Sequence, residues 1–336
     1  MSLNYDSLSA ITKDKFLPVM VDNIFNSNVL TFKLLKNAEK LDGGKKIITP
    51  LEYGKNSAQG FYSGYDVLDT TPSDPITSAE WNWKQAYATM TISGEEELKN
   101  AGDSQVLSLM KSKMKNAEKS LKDLFGDQIF NTSAVGSNDI TSLAYSSSTD
   151  GTEDNHIIGK DRTLGGIDSA TYSWWDSHEV AHTGDGSPTW DELVAVTSGQ
   201  SLIVKEMTKA YGAVTIDNDS PDLIVTTQVI YDAYESALQP NKRFEGDATL
   251  VDAGFQALRF KGATVVVDSH VPAGHMYFLN TKYLDFKVHS KRNFSFQDFQ
   301  KPINQDARTA KIFWMGQLVC TNPRMQGMIV GGPTGY

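Results

Sequence analysis

The chain has 336 residues, 40 % hydrophobic and 21 % charged, with a formal net charge of -10. That balance suits a folded protein long enough for two or three sub-domains around a sizeable core, and the acidic excess argues against a dedicated nucleic-acid binder, whose phosphate contacts demand clustered Lys and Arg. Cys320 is the only cysteine, which excludes an intrachain disulfide and a Cys-based metal cluster and fits a reducing compartment; no basic segment with an apolar run follows Met1, and no stretch nears the roughly 18 apolar residues of a membrane span.

From Tyr5 to about Leu35, apolar residues recur at Ile11, Phe16, Val19, Ile24, Phe25 and Leu30, with Pro18 interrupting them. This predicts a short helix, a break and an extended arm with little core of its own, closed by the turn Asp42-Gly43-Gly44. The next segment changes period. Ile47-Ile48-Thr49 and the alternating run Trp81, Trp83, Gln85, Tyr87, Thr89, Thr91 place β-branched and aromatic residues on one face, as strands do. Between them runs a polar stretch from Gly54 to Pro75 that holds Phe61, Tyr62 and Tyr65. The reading is a long two-stranded excursion with an elaborate tip. An isolated hairpin is marginal in water, so its aromatics call for another surface.

The clearest helix follows Gly102-Asp103-Ser104, with Val106, Met110, Met114, Ala117, Leu121, Leu124 and Phe125 at three-four spacing, and is expected to end near Gly126. Lys111, Lys115, Lys119 and Lys122 lie on an adjacent face. Two readings apply to that stripe: a solvated helix face, or one turned toward DNA or an acidic neighbour. Thr132 to Ser187 reads as loops with short strands. Pro188-Thr189-Trp190-Asp191-Glu192 opens a second helix, expected to run to Tyr211 and stop at Gly212. Strands are then expected at 222–226, 255–260, 263–267, 276–279, 285–289 and 311–321, with a helix from Thr227 to Leu238 and a loose Gly-rich tail. The class is α+β.

One catalytic signature stands in the chain. His178-Glu179-Val180-Ala181-His182 matches the His-Glu-x-x-His pattern, in which two histidines one helical turn apart bind zinc and the glutamate acts as base. The motif needs a stable helix, yet Thr183-Gly184-Asp185-Gly186-Ser187-Pro188 cuts it off after less than two turns. Asp185 and Pro188 also stand where the longer metalloprotease pattern requires Gly and His. Glu206 offers a third ligand, so a zinc-dependent metallopeptidase is the alternative reading. No phosphate-binding loop is present, His156, His270, His275 and His289 lack metal-ligand spacing, and Cys320 reads as a buried strand thiol. No cofactor is expected.

The order of elements, with the phrases Gly165-Gly166-Ile167-Asp168-Ser169-Ala170-Thr171-Tyr172-Ser173-Trp174-Trp175, Pro221-Asp222-Leu223-Ile224-Val225-Thr226 and Phe260-Lys261-Gly262-Ala263-Thr264-Val265-Val266-Val267-Asp268, resembles the tailed-bacteriophage major capsid protein family. That coat fold is shared with encapsulins and herpesvirus capsids. The resemblance implies an N-terminal arm (1–44), an extended loop (45–95), a peripheral domain (96–199 and 285–336, with a spine helix at 103–126) and an axial domain (200–284). It implies a non-enzymatic subunit that assembles in the host cytoplasm into the pentamers and hexamers of a virion shell around double-stranded DNA. The expected partners are its own copies, a portal and a separate scaffold protein if there is one, with only weak non-specific contact to DNA and no membrane. Trp81, Trp83, Tyr87, Phe61, Tyr62 and Tyr65 become candidate intersubunit contacts, and the lysine stripe a candidate lumen face. Another phage structural protein, such as a decoration or tail component, is a further alternative.

Overall fold

The structure is a computed structural model and describes residues 28–99, 103–133, 136–144, 155–181, 188–197, 200–238 and 258–333. The chain begins with helix α1 (Val29–Lys36) and strand β1 (Glu39–Leu41), then β2 (Ile47–Glu52), β3 (Ile76–Trp81) and β4 (Lys84–Ser93). Helix α2 (Gly94–Lys99) leads to the long α3 (Asp103–Ile129). Short strands follow: β5 (Ser142–Ala144), β6 (His156–Ile158), β7 (Thr163–Leu164), β8 (Ile167–Asp168) and β9 (His178–Ala181). Next come α4 (Trp190–Val194), β10 (Val196–Thr197), β11 (Gln200–Ser201), α5 (Leu202–Val214), β12 (Leu223–Thr226) and α6 (Gln228–Ala237). The chain closes with β13 (Leu258–Phe260), β14 (Ala263–Val267), β15 (Met276–Leu279), β16 (Leu284–His289), β17 (Ser295–Gln300), β18 (Ala307–Cys320) and β19 (Gly327–Val330).

Two sheets organise this course. In the first, β18 is the axis: β16 and β17 pair with it antiparallel, β4 runs along its first ten residues, and β1 adds parallel to β16. Helix α3, about 40 Å long at ~1.5 Å per residue, lies against this sheet. Its Leu121, Phe125 and Ile129 share a buried cluster with Phe286, Ile312 and Trp314, and the Phe125 and Trp314 rings meet edge-on at 4.7 Å. The second sheet has the order β13-β14-β12-β15-β19-β9. Its central strands are buried on both faces, which is why they read as unbroken apolar runs. Alternation sorts their side chains between two cores. Leu223, Val225, Val266, Tyr277 and Met328 join the α3 core, whereas Ile224, Val265, Phe278 and Ile329 join Met207, Tyr211, Ile230 and Tyr234 of α5 and α6.

Several expectations are corrected. The arm does not lack a core from residue 28 onward: Val29, Leu30 and Leu34 are buried in the α3 cluster, and Lys33 forms an ion pair with Asp222. Residues 1–27 lie outside the described residues. Helix α3 passes through Gly126 instead of ending there, because a close approach uses the missing side chain. A Cβ at that position would stand 2.6 Å from the His270 ring and 2.7 Å from Asn28. The helix expected from Pro188 to Tyr211 is two. Thr189 closes a capping box with Glu192 over one short helix, the β-branched Val196-Thr197 turns into a two-strand ladder, and α5 restarts at Leu202 and contains Gly212. The tail is anchored at least to Pro333: β19 completes the second sheet, and Gly332 N–H donates to Gly274.

Candidate assembly surfaces

The excursion is a true hairpin, but a shorter one than the alternating pattern implied. Strand β2 pairs with β3 from Ile47↔Trp81 to Glu52↔Ile76, while β4 belongs to the first sheet. The break at Asn82-Trp83 divides one period-two run between two sheets, and this separates the six candidate aromatics. Trp81 is not in want of a partner. It is 3 % exposed, packed with Ile47, Leu51, Leu164, Ile167, Trp175 and Val319 at the hairpin base. Trp83 is half-buried; its indole N–H donates to the Gly44 carbonyl at 2.9 Å and its ring meets His289 edge-on. Tyr87 lies on β4, exposed. Only Phe61, Tyr62 and Tyr65 share the tip.

That tip, residues 53–75, has no ladder of its own. A few local bonds shape it: Tyr53 Oη donates to the Asp74 carbonyl at 2.9 Å, Ser63 N–H donates to Asp66 at 2.8 Å, and Ser73 Oγ donates to Asn56 at 3.0 Å. Hydrogen bonds from the Thr71 hydroxyl and backbone hold the Asp69 carboxyl below the usual range. Tyr53 stacks on Trp174 at 5.2 Å and ties the tip to the body. Beyond it the apolar side chains stand in solvent: Phe61 is 110 %, Tyr65 104 % and Val67 99 % exposed, with Tyr62 and Leu68 also exposed. Five large apolar side chains within eight residues are thus exposed among the described residues.

On the lysine stripe, Lys115 is exposed, whereas the side chains of Lys111, Lys119 and Lys122 lie outside the described residues. Lys113, off the expected face, donates to the Thr91 carbonyl and to Glu96, both at 2.7 Å. It spans one end of a groove of about 460 Å³ between β4 and α3.

Residues 178–181 of the zinc signature are not helical. His178 to Ala181 is a strand, paired parallel with β19. A strand advances ~3.3 Å per residue and alternates its side chains between two faces, so it lacks the single helical face that the signature requires. Glu206 is buried on α5, His182 lies outside the described residues, and among the described residues no three His, Cys, Asp or Glu are grouped to hold a metal. Burial, with Arg324 and Lys160 nearby, lowers the His178 pKa, and burial raises that of Glu179.

A buried arginine had no signal in the sequence. Arg162 donates from Nε to the His156 carbonyl and from Nη1 to the Gly159 carbonyl, each at 2.6 Å, and from Nη2 to Ile157, with Asp176 at 3.8 Å. Burial brings its pKa down to about 10. This cation gathers the loop whose Leu164, Ile167 and Trp175 hold the hairpin base. Its bonds go to backbone carbonyls, which any residue type supplies, so no pattern marks it.

No protein-family model matches the sequence, and no curated protein matches it. Solved structures do. A chain of the cyanophage A-1(L) capsid asymmetric unit is 15 % identical with a TM-score of 0.58, over 91 % of this chain and 93 % of that one. A chain from the capsid of the native GTA particle is 11 % identical with a TM-score of 0.55, over 89 % of each. One from Mycobacterium phage Ogopogo is 11 % identical with a TM-score of 0.55, over 90 % of this chain and 92 % of that one. Across nearly its whole length, this chain has the fold of phage capsid subunits.

Proposed function

We propose that this chain is the major capsid protein of a tailed phage, a non-enzymatic subunit that assembles with its own copies into the pentamers and hexamers of an icosahedral shell enclosing double-stranded DNA. The observation that carries this beyond the fold is the loop tip, whose Phe61, Tyr62, Tyr65, Val67 and Leu68 find no cover among the described residues. An aromatic buries ~150–250 Å², so a few per contact supply most of what a reversible interface needs. The net stabilisation per neighbour is then only a few kcal/mol, because ordering and association offset much of the buried area. Weak contacts let misplaced subunits leave before the shell closes.

In this reading the loop (45–95) lies over the adjacent subunit and the segment 200–284 meets its copies around the symmetry axes. The arm (1–44) clasps neighbours, although its residues from 29 to 41 serve the chain's own core and first sheet. A portal and a scaffold are the further partners this role calls for. The net charge of -10 suits a lumen that touches DNA without binding it tightly. Expression of the full chain, with electron microscopy and sedimentation, tests the proposal: capsomers or closed shells are expected, and a strictly monomeric protein under all conditions refutes it. A Phe61→Ser, Tyr62→Ser, Tyr65→Ser triple variant should keep the parent's unfolding midpoint and lose assembly.

A further inference from the structure

The carboxyl ends of β12 and β14 meet the start of β15 in one row beneath the last turn of the spine helix. Strand β12 runs parallel to β14 and antiparallel to β15, with Thr226 level with Val267 and Met276, so Asp268, Thr227 and His275 follow side by side. Two bonds hold that row: Asp268 N–H donates to the Thr226 carbonyl at 3.1 Å, and the Thr226 hydroxyl donates to the His275 carbonyl at 3.2 Å. Alternation carried one residue past each strand turns the three side chains to the face of Val225, Val266 and Tyr277, which belong to the α3 core. The helix roofs this end. A Cβ on Gly126 would stand 2.6 Å from the His270 ring, and the Phe130 ring lies 5.5 Å from that of Tyr277.

Four buried polar atoms here have no hydrogen-bond partner among the described residues: Asp268 Oδ2, Thr227 Oγ1, His275 Nε2 and Tyr277 Oη. Asp268, His275 and Tyr277 are each more than nine-tenths buried. The rest of their bonding capacity is spent. Asp268 Oδ1 accepts from His270 N–H at 3.0 Å and from its Nδ1 at 3.1 Å. His275 Nδ1 faces the Ala273 carbonyl at 2.9 Å, which only accepts, so Nδ1 carries the proton. Burial lowers the pKa of this imidazole and keeps it neutral, which leaves Nε2 a bare acceptor. Thr227 stands at the N-cap of α6 without capping it, so its hydroxyl is uncommitted. The set is two acceptors, Asp268 Oδ2 and His275 Nε2, and two donors, the hydroxyls of Thr227 and Tyr277. Water offers the matching two donors and two acceptors.

We propose that an ordered water molecule is bound at this end of the sheet, bridging Asp268, Thr227, His275 and Tyr277 and tying β14, β12 and β15 together under α3. Strands lie ~4.8 Å apart, so Asp268 and His275 flank Thr227 with their backbones about 10 Å apart, and the short threonine leaves room above itself. Stranding a buried polar group costs more than an average hydrogen bond returns, and buried waters answer such groups with ~3 bonds each. The site belongs to the folded chain and stands or falls separately from the capsid reading.

Two conservative substitutions test it by the sign of their effect. Tyr277→Phe and Thr227→Val each take one donor from the water, and each should lower the folding equilibrium constant about three- to tenfold in urea unfolding of the full chain. The double variant should lose less than the product of the two, because both act on one bridge. Without the water, each change removes a stranded hydroxyl in favour of an apolar group of similar shape, and stability holds or rises. Stability that holds or rises, or losses that simply multiply, overturn the proposal. A high-resolution density map of the parent chain should show a solvent peak within hydrogen-bond distance of about three or more of the four atoms. No peak there, or one whose height follows the sodium or potassium content of the buffer, overturns it as well.

Discussion

Replacing Trp81 by alanine separates an anchoring role from an assembly role. The side chain is 3 % exposed and touches both the hairpin and the loop held by Arg162, together with Val319 of β18. Burying ~150–250 Å² of aromatic surface at about 25 cal/mol per Å² gives about 4–6 kcal/mol as an upper bound, and measured aromatic-to-alanine changes in cores run about 3–5 kcal/mol. At ~1.4 kcal/mol per tenfold, the lower figure is about a hundredfold in the folding equilibrium. The indole N–H is buried without an acceptor, so Trp81→Phe loses volume but also removes an unsatisfied donor, and should cost no more than about 1–1.5 kcal/mol. Urea unfolding of the unassembled protein measures both changes, and limited proteolysis at 47–81 reports whether the hairpin base opens first. A Trp81→Ala loss below about 1 kcal/mol would refute the anchoring argument. So would equal losses for Ala and Phe.

Three further outcomes follow from buried groups. Burial, and then the Arg162 cation, hold His156 down to about 4 from 6.5. Because the folded pKa lies below the unfolded one, full stability is present above pH 6.5 and is lost as pH falls toward 4, by about 3 kcal/mol at most; His156→Asn should flatten that part of the pH–stability curve. Burial pushes the Cys320 thiol up to about 12, so a thiol reagent at pH 8 should label the chain only as fast as it unfolds, and rapid stoichiometric labelling of native protein contradicts the burial. Gly274 has φ +76 and a Cβ there would stand 2.5 Å from the Gly332 carbonyl, so Gly274→Ala should cost about 2 kcal/mol or more in urea unfolding by forcing the C-terminal strand away from β15.

Elements with one strong period were legible in the residues alone. The three-four spacing through Leu121 and Phe125 marks the spine helix, and the runs Leu223–Thr226, Ala263–Val267 and Met276–Leu279 mark buried strands, because each needs only local geometry to be read. The order of those elements carried the resemblance to capsid subunits. Alternation from Trp81 to Thr91, by contrast, says which residues share a face but not which sheet they join. Only the pairing of β3 with β2 and of β4 with β18 shows Trp81 buried and Tyr87 exposed. Likewise, His-Glu-x-x-His denotes a zinc site only if the backbone is helical, and the parallel ladder with β19, formed with residues about 150 positions away, makes residues 178–181 a strand. Arg162, Gly126 and the groove beside β4 had no sequence signal, since each is a relation between distant segments. Local propensity is encoded in neighbouring residues, whereas cover and exposure arise when the chain closes on itself.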